Sequence, residues 1–158
     1  MGEKIVAPVG TATITTTHKL GLPLGQGIQF ASSYYWDLDA KTRAFAQRFF
    51  KRTGAMPNEP QAGIYSALTH YFQATKAANS DDALTIMKKM REMPIRDPII
   101  RNGRIREDGR MIHDMYLVQV KRPDESRGPW DYYHVLDVVP GNQAFLPLEK
   151  STCPLLKK

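Results

Sequence analysis

A single cysteine, Cys153, stands in the whole chain, so no internal disulfide can form. It is either an unpaired thiol or the partner of a cysteine outside this sequence. No apolar run approaches the ~18–20 residues needed to cross a bilayer as a helix. The start, MGEKIVAPVG, lacks the basic residues, apolar block and small-residue cleavage site of a secretory leader, so nothing in the sequence as given directs export. There is no repeat and no low-complexity tract. No G-x-G-x-x-G or Walker A sequence opens a helix, because the glycines of Gly21-Leu-Pro-Leu-Gly25-Gln-Gly27 are wrongly spaced and their proline opposes a helix start. No G-x-S-x-G elbow occurs. His18, His70, His113 and His134 have no close His or Cys partner, which leaves a metal site unsupported. His113 and Asp114 are neighbours in an expected strand and point to opposite faces, which argues against a catalytic dyad. Neither a catalytic group nor a cofactor is expected.

What is present describes a globular chain: 158 residues, 42% hydrophobic and 24% charged. The net charge is +6. Its basic residues are spread through Arg48 to Arg52, Lys88 to Arg91 and Arg96 to Arg110, with acids interrupting or closely following the later groups, which favours a solvated face over the clustered charge that phosphate tracking needs.

Residues 11–17 are rich in β-branched side chains and predict a strand. Residues 18–27 predict a connector. From Gly27 to Tyr34, Ile28, Phe30, Ser32 and Tyr34 alternate as one face of a second strand. Asp37 or Asp39 caps a helix over 40–53, with Phe45, Ala46, Phe49 and Phe50 as its apolar stripe and Gly54 as its stop. A long helix runs from Pro60 to about Ala78, with Ile64, Leu68, Tyr71, Phe72 and Thr75 on or near one face. Ser80 and Asp81 cap a third helix with the stripe Ala83, Ile86, Met87, Met90 and Met93. Turns at Asn102-Gly103 and Asp108-Gly109, then strands over 115–121 and 130–139, predict a hairpin-rich end.

The content is α/β. Three successive helices without an intervening strand do not build a closed doubly wound sheet. The chain therefore reads as part of a larger fold, or as a chain that pairs with another copy. Tyr34, Tyr35, Trp36 and Asp37 stand at a strand end before a helix cap, where α/β sheets bind small ligands between aromatic walls. Alternation puts Tyr34 and Trp36 on one face and Tyr35 on the other. Gln61 and Tyr65 lie one turn apart at the start of the long helix, whose free N–H groups suit an anionic ligand.

These residues carry a resemblance. The run LGLPLGQGIQFASSYYWDLDAKTRAFAQRFFKRTGAMPNEPQAGIYSALTHYFQATKAA, followed by IMKKMREMPI, NGRIREDGRMIHDMYLVQVKRP, GPWDYY and CPLLKK, resembles the C-terminal part of solute-binding proteins of the branched-chain amino-acid ABC transporter type. The resemblance implies an incomplete periplasmic-binding-protein type I fold holding parts of both lobes. Residues 1–36 would form second-lobe strands and a crossover, residues 37–110 the helical part of the first lobe, and residues 111–158 the return to the second lobe. Two crossovers would fall around 27–37 and 102–114. It implies a periplasmic location, a small-molecule ligand (an amino acid or related organic or aromatic acid), a membrane permease as partner, and either the missing N-terminal lobe or self-association. By position, Pro60, Gln61 and Tyr65 match the helix start that faces the cleft, and Tyr34, Tyr35 and Trp36 match the crossover. Relatives often carry an acid in the segment where this chain has Thr15, Thr16 and Thr17. The usual carboxylate-binding groups belong to the half not seen here, so the chain by itself is expected to bind weakly or not at all. The competing expectation is a small basic nucleic-acid-binding protein using Arg96 to Arg110 with the Tyr34–Trp36 aromatics.

Overall fold

The computed structural model describes residues 12–154 and 156. Along the chain run α1 (Ile14–Leu20), α2 (Leu22–Gly25), β1 (Gln29–Ser32), α3 (Ala40–Thr53), α4 (Glu59–Ala78) and α5 (Ala83–Glu92). The short strands β2 (Arg104–Ile105) and β3 (Met111–Ile112) follow, then β4 (Met115–Val120), β5 (Tyr133–Val139) and α6 (Gly141–Ala144). The chain divides into two compact units. One holds Met1–Pro60 with Met115–Val138, the other Gln61–Asp114 with Val139–Lys158.

The first unit is built on a three-stranded sheet in the order β1-β4-β5. β1 lies antiparallel to β4, with Phe30 opposite Val118 and Ser32 opposite Tyr116. The expected alternation holds here: Phe30, Ser32, Tyr116, Val118 and Val120 are buried. Ile14, Tyr35, Trp130, Tyr132 and Tyr133 complete the same core.

Of the strand expected at 11–17, Ile14 to Thr17 instead open helix α1 and Thr13 caps it, while Thr11 lies outside the described residues. β-propensity reports packing on a sheet more than a backbone preference. Here local hydroxyl bonds win. Thr13 Oγ1 accepts the Thr16 N–H as an N-cap at 3.3 Å, and Thr17 Oγ1 bonds Tyr133 Oη at 2.8 Å. The connector expected at 18–27 contains the end of α1 and the single turn α2.

α3 occupies the expected range. Asp39 rather than Asp37 is its cap: Asp39 Oδ1 accepts the Thr42 N–H at 2.8 Å and Thr42 Oγ1 accepts the Asp39 N–H at 2.9 Å. Gly54 ends it in the left-handed region at φ 73°, which a Cβ would strain. Phe45 and Ala46 are buried, Phe49 is half-buried and Phe50 is exposed.

In the second unit α4 differs from its expected orientation. Its buried positions are Ala62, Ser66, His70 and Ala74, four residues apart. Ile64, Leu68, Tyr71 and Phe72 are 41–63% exposed. Small side chains permit close approach, and polar bonds anchor that face: Ser66 Oγ donates to Asp97 Oδ2 at 2.5 Å and His70 Nε2 bonds the Met90 carbonyl at 2.9 Å. Asp82, not Ser80 or Asp81, caps α5, and Ile86 is its one buried residue among the described ones; Met87, Met90 and Met93 are half-buried. Asp108-Gly109 forms the turn between β2 and β3. Asn102-Gly103 does not form a hairpin turn; Gly103 pairs with Ile95 as an isolated bridge. Gly141 packs on the His113 backbone so closely that an added Cβ would lie 2.8 Å from its carbonyl carbon.

Candidate functional site

Because β1 stops at Ser32, the alternation expected for Tyr34, Tyr35 and Trp36 does not continue through them. Tyr35 and Trp36 turn to the same core, with ring centroids 6.0 Å apart, and Tyr35 also packs on Tyr133 at 5.2 Å. Tyr34 turns to α3 and meets Phe45 edge-on at 6.2 Å. Tyr34 and Tyr35 are buried; Trp36 is half-buried and donates its Nε1–H to the Trp130 carbonyl at 2.8 Å. Trp130 holds φ 75°, an uncommon value for a bulky residue, and its ring is stacked by His18 at 4.0 Å. His18 Nδ1 also bonds Tyr132 Oη at 2.7 Å. The segment GPWDYY is thus fastened to α1 by the His18 ring and the Tyr132 and Tyr133 hydroxyls, and to the Tyr35–Trp36 step by ring contacts and the Trp130 carbonyl.

Charge surrounds this step. Asp37 pairs with Arg43 and with Arg127, each at 2.8 Å. Arg127 also grips Asp131 at 2.9 Å, and Asp131 takes the Lys121 ammonium at 2.6 Å. Burial pushes the Asp131 carboxyl up, but the bonds from Arg127 and Lys121 outweigh it and hold the group well below the usual carboxylate range. Burial raises the phenols of Tyr34, Tyr35 and Tyr133 well above their usual value, so all three are neutral.

Pro60 and Gln61 sit exposed in the first turn of α4, and Tyr65 is 37% exposed one turn later. One residue that sequence reasoning passed over lies directly before them. Glu59, first residue of α4, places its Oε1 2.7 Å from the Ser32 hydroxyl oxygen, while its buried Oε2 has no partner. A carboxylate before a proline is an ordinary helix-start signal, so nothing in the sequence separated it from a cap.

The second unit carries a polar cleft of about 320 Å³ lined by Asn102, Arg104, Ile112, Asp114, Gly141 and Asn142. Asp114 Oδ1 accepts the Gly141 N–H there at 2.9 Å. His113 Nδ1 bonds the Asp114 carbonyl, not its carboxylate. Among the described residues no group of three His, Cys, Asp or Glu could hold a metal ion, and no helix is long and apolar enough to cross a membrane. The aromatics that a nucleic-acid reading would use for stacking are largely withdrawn, since Tyr34 and Tyr35 are buried. Arg106, from the basic stretch, is held by Asp108 at 2.7 Å.

Residues 2–128 match the model of a family described as periplasmic binding protein. A periplasmic binding protein from Burkholderia mallei is 43% identical, with a TM-score of 0.92 over 95% of this chain and 40% of its own. A branched-chain amino acid ABC transporter periplasmic ligand-binding protein from Burkholderia xenovorans is 40% identical, with a TM-score of 0.86 over 90% of this chain and 38% of its own. A solute-binding protein of an ABC transporter from Rhodopseudomonas palustris, solved with 3,4-dihydroxybenzoic acid, shares the fold at 19% identity, with a TM-score of 0.64 over 75% of this chain and 32% of its own. Comparison with curated protein sequences returned no match. The chain spans about two-fifths of the length of these first two solved relatives.

Proposed function

The chain belongs to the periplasmic binding protein family, and from that premise we propose that it is the C-terminal part of a solute receptor that hands an amino acid or a related organic or aromatic acid to an ABC permease. The observation that carries this reading is identity above 40% across almost the whole chain to a periplasmic binding protein more than twice as long. The family's role is capture and release of a solute, which requires no catalytic group. A periplasmic site of action follows from the same role.

We assign ligand contact on this chain to Trp36 and, separately, to Pro60, Gln61 and Tyr65 at the start of α4; Tyr34 and Tyr35 are packed inside, Tyr34 on Phe45 and Tyr35 beside Trp36. The exposed start of α4 offers the N–H groups of its first turn to a carboxylate. The exposed faces of Tyr65 and Trp36 suit an aliphatic or aromatic body. With threonines at 15–17 in place of an acid, an α-amino group finds no counter-charge in that segment, which favours acids lacking one.

Isothermal titration of the full-length protein containing this chain tests the reading, with leucine and 3,4-dihydroxybenzoic acid as probes. Heat of binding is expected with at least one, and with the aromatic acid more strongly than with leucine. No heat with either probe, or with a wider panel of aliphatic and aromatic acids, would overturn it.

A further inference from the structure

Ser32 Oγ, at the end of β1, lies against three polar atoms. It stands 2.7 Å from the Tyr34 carbonyl oxygen and 2.7 Å from Glu59 Oε1, and the Tyr34 N–H points to it at 3.3 Å. A hydroxyl has one proton to donate. The Tyr34 carbonyl can only accept, and an ionised carboxylate can only accept. With Glu59 ionised, two acceptors would compete at hydrogen-bonding distance for one proton, leaving one contact of lone pair against lone pair. A proton on Glu59 Oε1 removes the conflict. Glu59 then donates to Ser32 Oγ, Ser32 donates to the Tyr34 carbonyl, and the Tyr34 N–H takes the remaining lone pair.

A second observation agrees. Glu59 Oε2 and the Tyr34 hydroxyl are both buried without a hydrogen-bond partner. An unpartnered neutral carbonyl oxygen is costly, but an unpartnered carboxylate oxygen is far more so. The titratable groups that face Glu59 from its neighbours are the phenols of Tyr34 and, on β5, Tyr133; Asp39 at the cap of α3 acts on the same Tyr34. None is a cation. Burial pushes the Glu59 carboxyl up, against the opposing bonds from Ser32 and its own backbone N–H. The positive end of α4 also favours the anion, but by a modest amount.

We infer that Glu59 is a carboxylic acid in the native protein, and that its proton fastens the first residue of α4 to the end of β1. Pro60 and Gln61 follow it directly, so Glu59 is a positioning residue for them; this last step rests on the ligand-contact role proposed above.

The proton itself is tested without any ligand, so its failure is separable from failure of the solute-binding reading. Infrared spectroscopy of the 158-residue chain should show a protonated-carboxyl C=O band persisting above the ordinary glutamate titration range. The band should be absent from Glu59→Gln and shifted in Ser32→Ala, which removes its acceptor. The Ser32→Ala shift makes the assignment even if Glu59→Gln does not fold. In thermal unfolding, the native state holds this proton more tightly than the unfolded chain. Wild-type stability relative to Glu59→Gln should therefore be greatest below the ordinary glutamate range and fall as pH rises through the raised value. A band lost at the ordinary range, a band unmoved by Ser32→Ala, or a difference between the two proteins that is flat or grows with pH would overturn the inference.

Discussion

Lys121 and Asp131 are both buried, and at 2.6 Å they form the most enclosed ion pair of the first unit. Taking one partner away leaves a charge without water or counter-ion. Asp131→Asn is therefore expected to cost about 3–5 kcal/mol in urea unfolding at neutral pH. The sign of the pH effect follows from the depressed carboxyl. The unfolded chain binds this proton more readily, so the pair's contribution is complete above the ordinary aspartate range and is lost as pH falls through it toward the depressed value. The acid limb of the stability curve should be shallower in Asp131→Asn than in wild type. Equal limbs would show that Asp131 does not drive it. Glu59 runs the opposite way, losing its contribution as pH rises. Neither group announced itself in sequence: Asp131 stood among five other charges near GPWDYY, and Glu59 looked like a helix-start acid. Their chemistry depends on which atoms surround them, and those come from residues 27 and 10 positions away.

At the scale of elements, the ends of α3 were legible because capping is chemistry between residues three apart, whereas the cap of α5 falls on Asp82, one residue beyond those expected. α3 is the clear case, with Asp39 and Thr42 bonded reciprocally and Gly54 at its end. Asp39→Ala is expected to lower stability by about 1 kcal/mol by urea titration, with Asp39→Asn recovering most of the loss. Equal losses in both would remove the cap from the account. The segment 11–17 holds five threonines, whose strand preference is only realised where a sheet is present to receive them. Thr13 and Thr17 bond to backbone and to Tyr133 instead. The aromatic step at 34–36 was found in sequence but its facing was not. Alternation requires a strand, and β1 ends two residues earlier.

At the scale of the whole molecule, the unusual feature is an apolar helix face left open. Ile64, Leu68 and Phe72 succeed one another at four-residue spacing on α4 and are 49–63% exposed. Contiguous apolar surface of this kind is rare on soluble monomers and promotes association. The isolated 158-residue chain is expected to sediment as a dimer or larger species, and Leu68→Glu with Phe72→Glu should shift it toward monomer. A compact monomer that unfolds cooperatively would contradict this. The amino-acid sequence by itself determined the α/β content, the helix α3 with its stop, the β4 and β5 region and the likeness to solute-binding proteins, because each rests on local spacing or on ordered residue matches. Only the tertiary structure decided that α4 buries its alanines, serine and histidine in place of its larger apolar residues, and that one serine hydroxyl must serve both a carbonyl and a carboxyl. Burial and proton sharing depend on what lies across a contact, and periodicity along one strand or helix does not encode its neighbour.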